Sequence, residues 1–167
     1  QVIAQDITRY GTDLYGKRRL AELLRELCRM DFHWIRLHYL YPDEIDQELI
    51  DVIAEEPKIV KYLDIPIQHL SDKILRAMNR RGNGALISDV ISTLREDIPD
   101  LVLRTSIIVG FPGEGEEEFE ELCRLLPGYH FQRAGVFTFS AEEGAPAAAM
   151  PDQVPEDVAK HPMELLV

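Results

Sequence analysis

Short polar clusters recur along this sequence, and each one follows an apolar, strand-like run. They lie about 30 to 40 residues apart, the spacing of strand-helix units, and comprise Gln5-Asp6, His38 to Tyr41, Gln68 to Ser71, Gly110 to Glu114, and Ser140 to Glu142. Carboxylates, amides, imidazoles and hydroxyls of this kind bind polar ligands and transfer protons. Any single cluster is typical of a turn, but a succession of them at strand ends predicts the rim of one binding site.

The cluster at Gly110 lies in the stretch RTSIIVGFPGEGEEEFEEL, residues 104–122. A glycine directly after a buried strand lets the backbone approach a ligand, because no Cβ stands in the way. A phosphate site is disfavoured, since no Lys or Arg follows within the loop and six glutamates lie between positions 114 and 121. An apolar loop beside backbone polar groups suits an adenine or a nucleoside better. The alternative left open by the residues alone is a strand-to-helix turn with a good cap.

The elements that must position these clusters alternate between strand and helix patterns. Strands are predicted at residues 32–41, 58–68, 101–109 and 131–140, with the last residues of a further strand at 1–6. Apolar residues at helical spacing predict helices at 18–30, 43–56, 71–78, 86–94 and 119–126. Such a series predicts parallel strands whose carboxyl ends share one edge. The predicted fold is α/β, either an incomplete barrel of about five strands or, as the alternative, a doubly wound sheet.

Composition argues against several classes of protein. A net charge of −12 disfavours direct binding of nucleic acid, which needs clustered Lys and Arg. No apolar run approaches the roughly 18 residues of a membrane span. The two cysteines, Cys28 and Cys123, fall at apolar helix positions, which favours buried thiols in a reducing, cytoplasmic compartment. The histidines show no ligand spacing, so we predict no metal site in this chain.

Several runs together resemble one enzyme family. LRTSIIVGFPGE and YLDIPIQHLSDKILRAMNRRG look like strand-end motifs of the radical S-adenosylmethionine (radical SAM) methylthiotransferases. RLHYLYPDEI, AQDITRYGTDLYGK and MPDQVPEDV are most similar to the branch that methylthiolates an aspartate of a small-subunit ribosomal protein. The resemblance extends from Gln1 to about Ala159, and the last eight residues, KHPMELLV, do not continue it.

The resemblance implies a fold, a cofactor and a set of contacts. It implies a partial radical SAM (TIM-like) barrel over residues 1–144, from the second to the sixth βα unit, and a connector with a divergent tail over 145–167. The implied cofactor is S-adenosylmethionine (SAM). The resemblance implies contacts of its methionine part with Gln5 and Asp6, and of its ribose with Gln68 and Ser71. It also implies that Arg104 and Thr105 reach a carboxylate or hydroxyl, and that the nucleoside lies against Ile108, Val109, Gly110 and Phe111. The implied substrate side comprises His38, Tyr41, His69 and Ser140.

One departure from the family pattern limits what this chain can do. The family binds a four-iron four-sulfur cluster through CxxxCxxC, whereas this sequence has two cysteines and no such motif. We therefore expect a fragment of the parent enzyme that is inactive alone, with the ribosomal protein as the parent's partner. The alternatives are a core fragment of a transfer RNA adenosine methylthiotransferase and a non-catalytic remnant that binds SAM or a nucleoside. The unpaired strand edges of a partial barrel also predict self-association.

Overall fold

Strands and helices alternate along the chain in the computed structural model, which describes residues 1–155 and Val158. The strands are β1 (Ile35–Leu37), β2 (Ile59–Asp64), β3 (Val102–Val109) and β4 (Arg133–Thr138). The helices are α1 (Thr12–Tyr15), α2 (Leu20–Arg29), α3 (Gln47–Glu55), α4 (Asp72–Ala77), α5 (Gly84–Asp97) and α6 (Glu116–Leu125). None of these described helices combines the length and the apolarity that a bilayer crossing needs.

The four strands form one parallel sheet in which spatial order follows chain order, β1-β2-β3-β4. A doubly wound sheet reverses its strand order at a switch point, whereas this sheet winds in one direction, as a barrel does. At the outer side of β1, Val2 forms a single parallel bridge with Leu37. The prediction of an incomplete parallel α/β barrel is therefore confirmed, with four strands and one bridging residue where about five strands were expected.

The two faces of the sheet differ in burial. Along β3, Leu103, Thr105, Ile107 and Val109 are fully buried, and the residues between them are only partly covered. This alternation follows from the two-residue period of a strand. The buried face joins a core to which the helices contribute, for example, Leu24 of α2, Ile53 of α3 and Leu94 of α5. Parallel sheets are normally covered on both faces, so the partly covered face has the character of a barrel interior.

Local capping explains where the helices begin. The Asp46 carboxylate accepts a hydrogen bond from Leu49 N at 3.0 Å, and the Asn83 side chain accepts one from Leu86 N at 2.9 Å. Ser71 stands at the N-cap of α4, as the sequence predicted, but its hydroxyl makes no capping bond. Helix α1 was not predicted, because four residues are too few to display a helical period.

The strand predicted at residues 32–41 is much shorter in the structure. Residues 32–41 were expected to be extended, but only Ile35–Leu37 form β1. Phe32 and Trp34 stand exposed before it, so their aromatic character gave a strand signal that the sheet does not use.

The segment after β4 returns to the loop that follows β3. It contains a short 3-10 turn at Pro146–Ala149, and the carbonyl of Asp152 accepts a hydrogen bond from Gly113 N at 2.9 Å. The division at residues 144 and 145 stays a prediction, and the tail KHPMELLV lies outside the described residues.

Candidate functional site at the carboxyl edge of the sheet

Unusual backbone conformations mark the carboxyl ends of three neighbouring strands. Tyr39, Gln68 and Gly110 have φ angles of 64°, 68° and 72°, in the left-handed region. Tyr39 lies two residues beyond β1, Gly110 directly follows β3, and Gln68 extends β2 through a bridge to Ile107. Left-handed backbone is uncommon in residues other than glycine, and it concentrates where loops form sites. The rim predicted from the polar clusters is therefore also a rim of constrained loops.

A buried carboxylate holds the predicted ligand residue Arg104. Asp64 and Arg104 are paired neighbours across β2 and β3, and their side chains meet at 2.6 Å between Asp64 Oδ1 and Arg104 Nη1. The Asp64 side chain is only 5% exposed, and its hydrogen bond raises the pKa of the Arg104 guanidinium. His38 Nδ1 lies 3.7 Å from Asp64 Oδ2, and Ser106 Oγ lies 3.4 Å from Arg104 Nη1. Sequence reasoning missed Asp64, whose only signal was a carboxylate inside the strand-like run KIVKYLDIPIQ.

The loop after β2 places an unpaired amide next to β3. Gln68 N donates to Ser106 O at 2.9 Å, and Gln68 O accepts from Ile108 N at 2.8 Å, so its backbone is fixed. Its side-chain Oε1 is buried and has no hydrogen-bond partner within the described part of the chain. A buried amide oxygen without a partner is costly unless a ligand or water completes it. The predicted ribose contact Gln68 therefore fits a hydroxyl-bearing ligand, and Ser71, also predicted there, is buried three residues later.

The loop after β3 presents apolar residues and backbone groups together. Ile108 is half-buried on the partly covered face, whereas Val109 and Phe111 are buried. The Phe111 ring packs edge-on against Phe139, with 5.0 Å between ring centroids. Phe111 N donates to Glu114 Oε2 at 3.1 Å, which turns the chain towards α6. Of the residues predicted to meet the nucleoside, Ile108 is therefore the one whose side chain lies on the partly covered face, and the contact itself stays a prediction.

A wide cleft lies beside the amino-terminal residues of the predicted site. Its volume is about 570 Å³, and Gln5, Asp6 and Tyr41 line it together with Arg80 and Asp43. The Arg80 guanidinium lies 4.2 Å above the centre of the Tyr41 ring. Burial raises the pKa of the Asp43 carboxyl. The Asp6 carboxylate already acts as a cap, because it accepts a hydrogen bond from Thr8 N at 3.0 Å.

The structure places four predicted residues away from the partly covered face. Thr105 is fully buried. Its hydroxyl donates a hydrogen bond to Ile65 O at 2.9 Å and accepts one from Ile67 N at 3.2 Å, so both bonds are to backbone groups. Val109 also points into the core. His69, predicted on the substrate side, is fully buried beneath the loops, whereas Ser140 is exposed beyond β4.

The chain lacks the donor set of an iron-sulfur cluster. Residues 1–155 with Val158 contain no group of three His, Cys, Asp or Glu side chains placed to hold a metal ion. Cys28 lies on α2 and Cys123 on α6, and burial raises the pKa of both thiols. Thiolate, rather than thiol, is the ligand that such clusters bind. The residues therefore do not fit a four-iron four-sulfur cluster.

Both cysteines should react slowly with a thiol reagent in the folded chain. A raised pKa lowers the thiolate fraction, so at pH 8 we expect the reaction with Ellman's reagent to be at least about tenfold slower than for free cysteine. In guanidinium chloride both thiols should react at the free rate. A fast native thiol at either position would contradict the burial described above.

Comparison with models of protein families identifies the superfamily of the chain. The family model of the Radical SAM superfamily matches residues 8–126, which is most of the chain. This chain belongs to the radical SAM superfamily. The matched range contains β1, β2, β3 and their loops, and therefore most of the candidate site.

Curated relatives in this superfamily are similar over nearly the whole chain. The chain is 52% identical over 160 residues to the ribosomal protein uS12 methylthiotransferase RimO of Anaeromyxobacter sp. (strain Fw109-5), and 56% identical over 160 residues to that of Geobacter sulfurreducens. Both alignments cover 95% of this chain but only 34% and 36% of the relatives. The resemblance seen in the motifs is confirmed, and the chain spans about a third of the length of these relatives.

Solved radical SAM structures share the fold at low sequence identity. Coproporphyrinogen III oxidase (HemN) from Escherichia coli superposes with a TM-score of 0.68 at 22% identity, over 89% of this chain and 34% of that protein. The methyltransferase TsrM from Kitasatospora setae, solved with cobalamin and a [4Fe-4S] cluster, superposes with a TM-score of 0.57 at 16% identity, over 71% of this chain and 24% of that protein. These likenesses support the barrel architecture of the radical SAM fold.

Proposed function

We propose that this chain forms the SAM-binding part of the core of a radical SAM methylthiotransferase that modifies an aspartate of ribosomal protein uS12. The observation that carries the proposal is the identity of 52% to 56% with RimO proteins over 94% to 95% of the chain. The proposed partner is the small-subunit ribosomal protein, and the proposed location is the cytoplasm, where ribosomes act.

The residues of the rim fit SAM by chemical type. The apolar loop from Ile108 to Phe111 suits the adenine, the unpaired amide oxygen of Gln68 suits a ribose hydroxyl, and Arg104 suits the carboxylate of the methionine part. When bound, SAM supplies the radical and the methyl group of the reaction. The protein's own contribution is to orient the nucleoside between two fixed loops and to exclude water from it.

Catalysis needs a cluster that the two cysteines of this chain do not ligate. We propose that the 167-residue chain binds SAM but has no methylthiotransferase activity by itself. The cluster ligands would come from outside this sequence, as they do in a complete enzyme of the family.

Calorimetric titration of the chain with SAM tests the proposal. We expect SAM to bind saturably. ATP should not compete with SAM for the site, because the loop lacks basic groups that would bind phosphate. Gln68→Ala should weaken binding roughly tenfold, since a buried hydrogen bond is lost. Gln47→Ala, an exposed change on α3, should leave the affinity unaltered. Absence of SAM binding, or equal binding of ATP, would count against a SAM site.

The outer edge of β4 should make the chain self-associate. Among the residues that the structure describes, β4 pairs only with β3, and Phe137 on that strand is 53% exposed. Open strand edges pair with other chains unless a charge blocks them. We expect a concentration-dependent sedimentation coefficient that Phe137→Lys reduces. A single monomeric species at every concentration would show that the edge is protected.

A further inference from the structure

Two buried ionisable side chains face each other beneath the rim. His69 is fully buried, and the Glu114 side chain is 4% exposed. His69 Nε2 and Glu114 Oε1 lie 3.6 Å apart, and neither atom has a hydrogen-bond partner in the described structure. Buried polar atoms without partners are rare and usually have a reason. Here the two atoms without partners face each other, one from the loop after β2 and the other from the loop after β3.

The hydrogen-bond pattern assigns the proton between them. Ser71 N donates to His69 Nδ1 at 2.9 Å, so Nδ1 is an acceptor and the neutral imidazole carries its proton on Nε2. That proton is directed at Glu114. The other oxygen of Glu114 accepts from Phe111 N at 3.1 Å. A row of polar groups therefore runs from Ser71, on the loop after β2, to the backbone of Phe111, on the loop after β3, with one gap of 3.6 Å between Nε2 and Oε1.

We infer that His69 and Glu114 are positioning residues that hold the two loops of the nucleoside site in register with each other. The inference rests on the proposed function, because it takes the Phe111 loop as the nucleoside loop. A charge-assisted hydrogen bond has a length of about 2.7 to 2.9 Å, so a movement of less than 1 Å brings the pair from 3.6 Å into hydrogen-bond contact in the ligand-free chain. Gly110 and Gly113, with φ of 72° and 85°, supply the backbone freedom for that movement.

The position of the pair argues against a direct chemical role. Both side chains are buried below the loops rather than on the partly covered face, so neither reaches a substrate. They also lack the third ligand that a metal site would need, since no such group occurs in the described ranges. What the pair does touch is the backbone of Ser71 and of Phe111, which are themselves among the predicted ribose and nucleoside contacts.

Three substitutions separate the coupling of the loops from simple packing. His69→Asn keeps an acceptor for Ser71 N but removes the Nε2 donor, whereas His69→Gln keeps a donor near Nε2 and loses the acceptor. Glu114→Gln keeps the shape of the side chain and places an amide donor or a neutral oxygen at the histidine. Glu116→Gln, exposed on the first turn of α6, is the matched control.

The test is hydrogen exchange of the Phe111 amide in the ligand-free 167-residue chain, measured by NMR. We expect at least roughly tenfold faster exchange in His69→Asn and Glu114→Gln, and no more than about twofold change in His69→Gln and Glu116→Gln. Wild-type exchange in both His69→Asn and Glu114→Gln would overturn the inference. So would equal effects of His69→Asn and His69→Gln, because the bond to Ser71 would then be the important one. Exchange at Leu94, in the core, identifies a variant that has simply lost stability.

A parallel titration with SAM keeps this test distinct from that of the proposed function. If the wild-type chain binds SAM, the two disruptive variants should bind it roughly tenfold more weakly. If the wild-type chain does not bind SAM, the proposed function fails at that point. The exchange of Phe111 without ligand still decides whether the pair couples the loops.

Discussion

Replacing Arg104 by methionine is expected to lower the free energy of unfolding by about 3 kcal/mol, the lower end of the range for breaking a buried ion pair. Methionine keeps most of the packing of the arginine stem and removes the charge. The carboxylate of Asp64, 5% exposed, is then left without its 2.6 Å partner. A buried carboxylate without compensation is destabilising, because it has lost water and gained nothing in exchange.

Replacing the acidic partner should lower the free energy of unfolding by a smaller amount. Asp64→Asn leaves Arg104, whose side chain is 33% exposed and can turn towards solvent, so we expect a loss of about 1 kcal/mol. The double variant should recover part of the loss of Arg104→Met, since no buried charge remains. Arg29→Met, which removes a pair exposed on both sides, should change stability by less than about 0.5 kcal/mol. Urea unfolding of the wild-type chain and of these four variants at pH 7 gives the free energies of unfolding. Equal losses for Arg104→Met and Arg29→Met would show that burial of Asp64 does not matter.

Gly110→Val is expected to destabilise the chain by about 2 kcal/mol and to weaken SAM binding at least tenfold. Gly110 has φ of 72°, a conformation that a β-branched residue adopts only with strain. It also connects the buried end of β3 to the loop that carries Phe111. Valine would therefore either strain the folded chain or move the loop away from the position proposed for nucleoside binding.

A graded series distinguishes backbone strain from steric exclusion. Asparagine tolerates left-handed backbone better than alanine, and alanine better than valine. Stability measured by thermal unfolding should therefore fall in the order Gly, Asn, Ala, Val at position 110. Gly128→Val, at an exposed glycine with nothing within 4 Å of an added Cβ, should have little effect. If Asn, which is larger than Ala, were more damaging than Ala, side-chain volume rather than φ would be the cause.

The strand β3 and its loop could be predicted from the sequence, because their signals are local. A β-branched run with a two-residue burial period and a following glycine specify both the strand and its end. Helices α3 and α5 were equally predictable, since apolar spacing and the caps Asp46 and Asn83 agree. The rim followed from a general property of parallel sheets, in which all carboxyl ends share one edge.

Contacts between distant residues could not be predicted. Asp64 and Arg104 meet because β2 and β3 pair in one particular register, and no local pattern specifies that register. The same is true of His69 and Glu114, which come together only when two loops fold over each other. Thr105 was expected to face a ligand, but the two-residue period places it on the buried side, between Arg104 and Ser106 of the partly covered face.

The hydrogen bond from Gly113 N to the carbonyl of Asp152 links the loop after β3 to the chain that follows the last strand. The loop that carries Phe111 is therefore held at two points, by β3 at its start and by the backbone around Asp152 further along. A change in the path of the chain after β4 would alter the second of these points, so the conformation of the loop depends on residues about 40 positions later in the sequence.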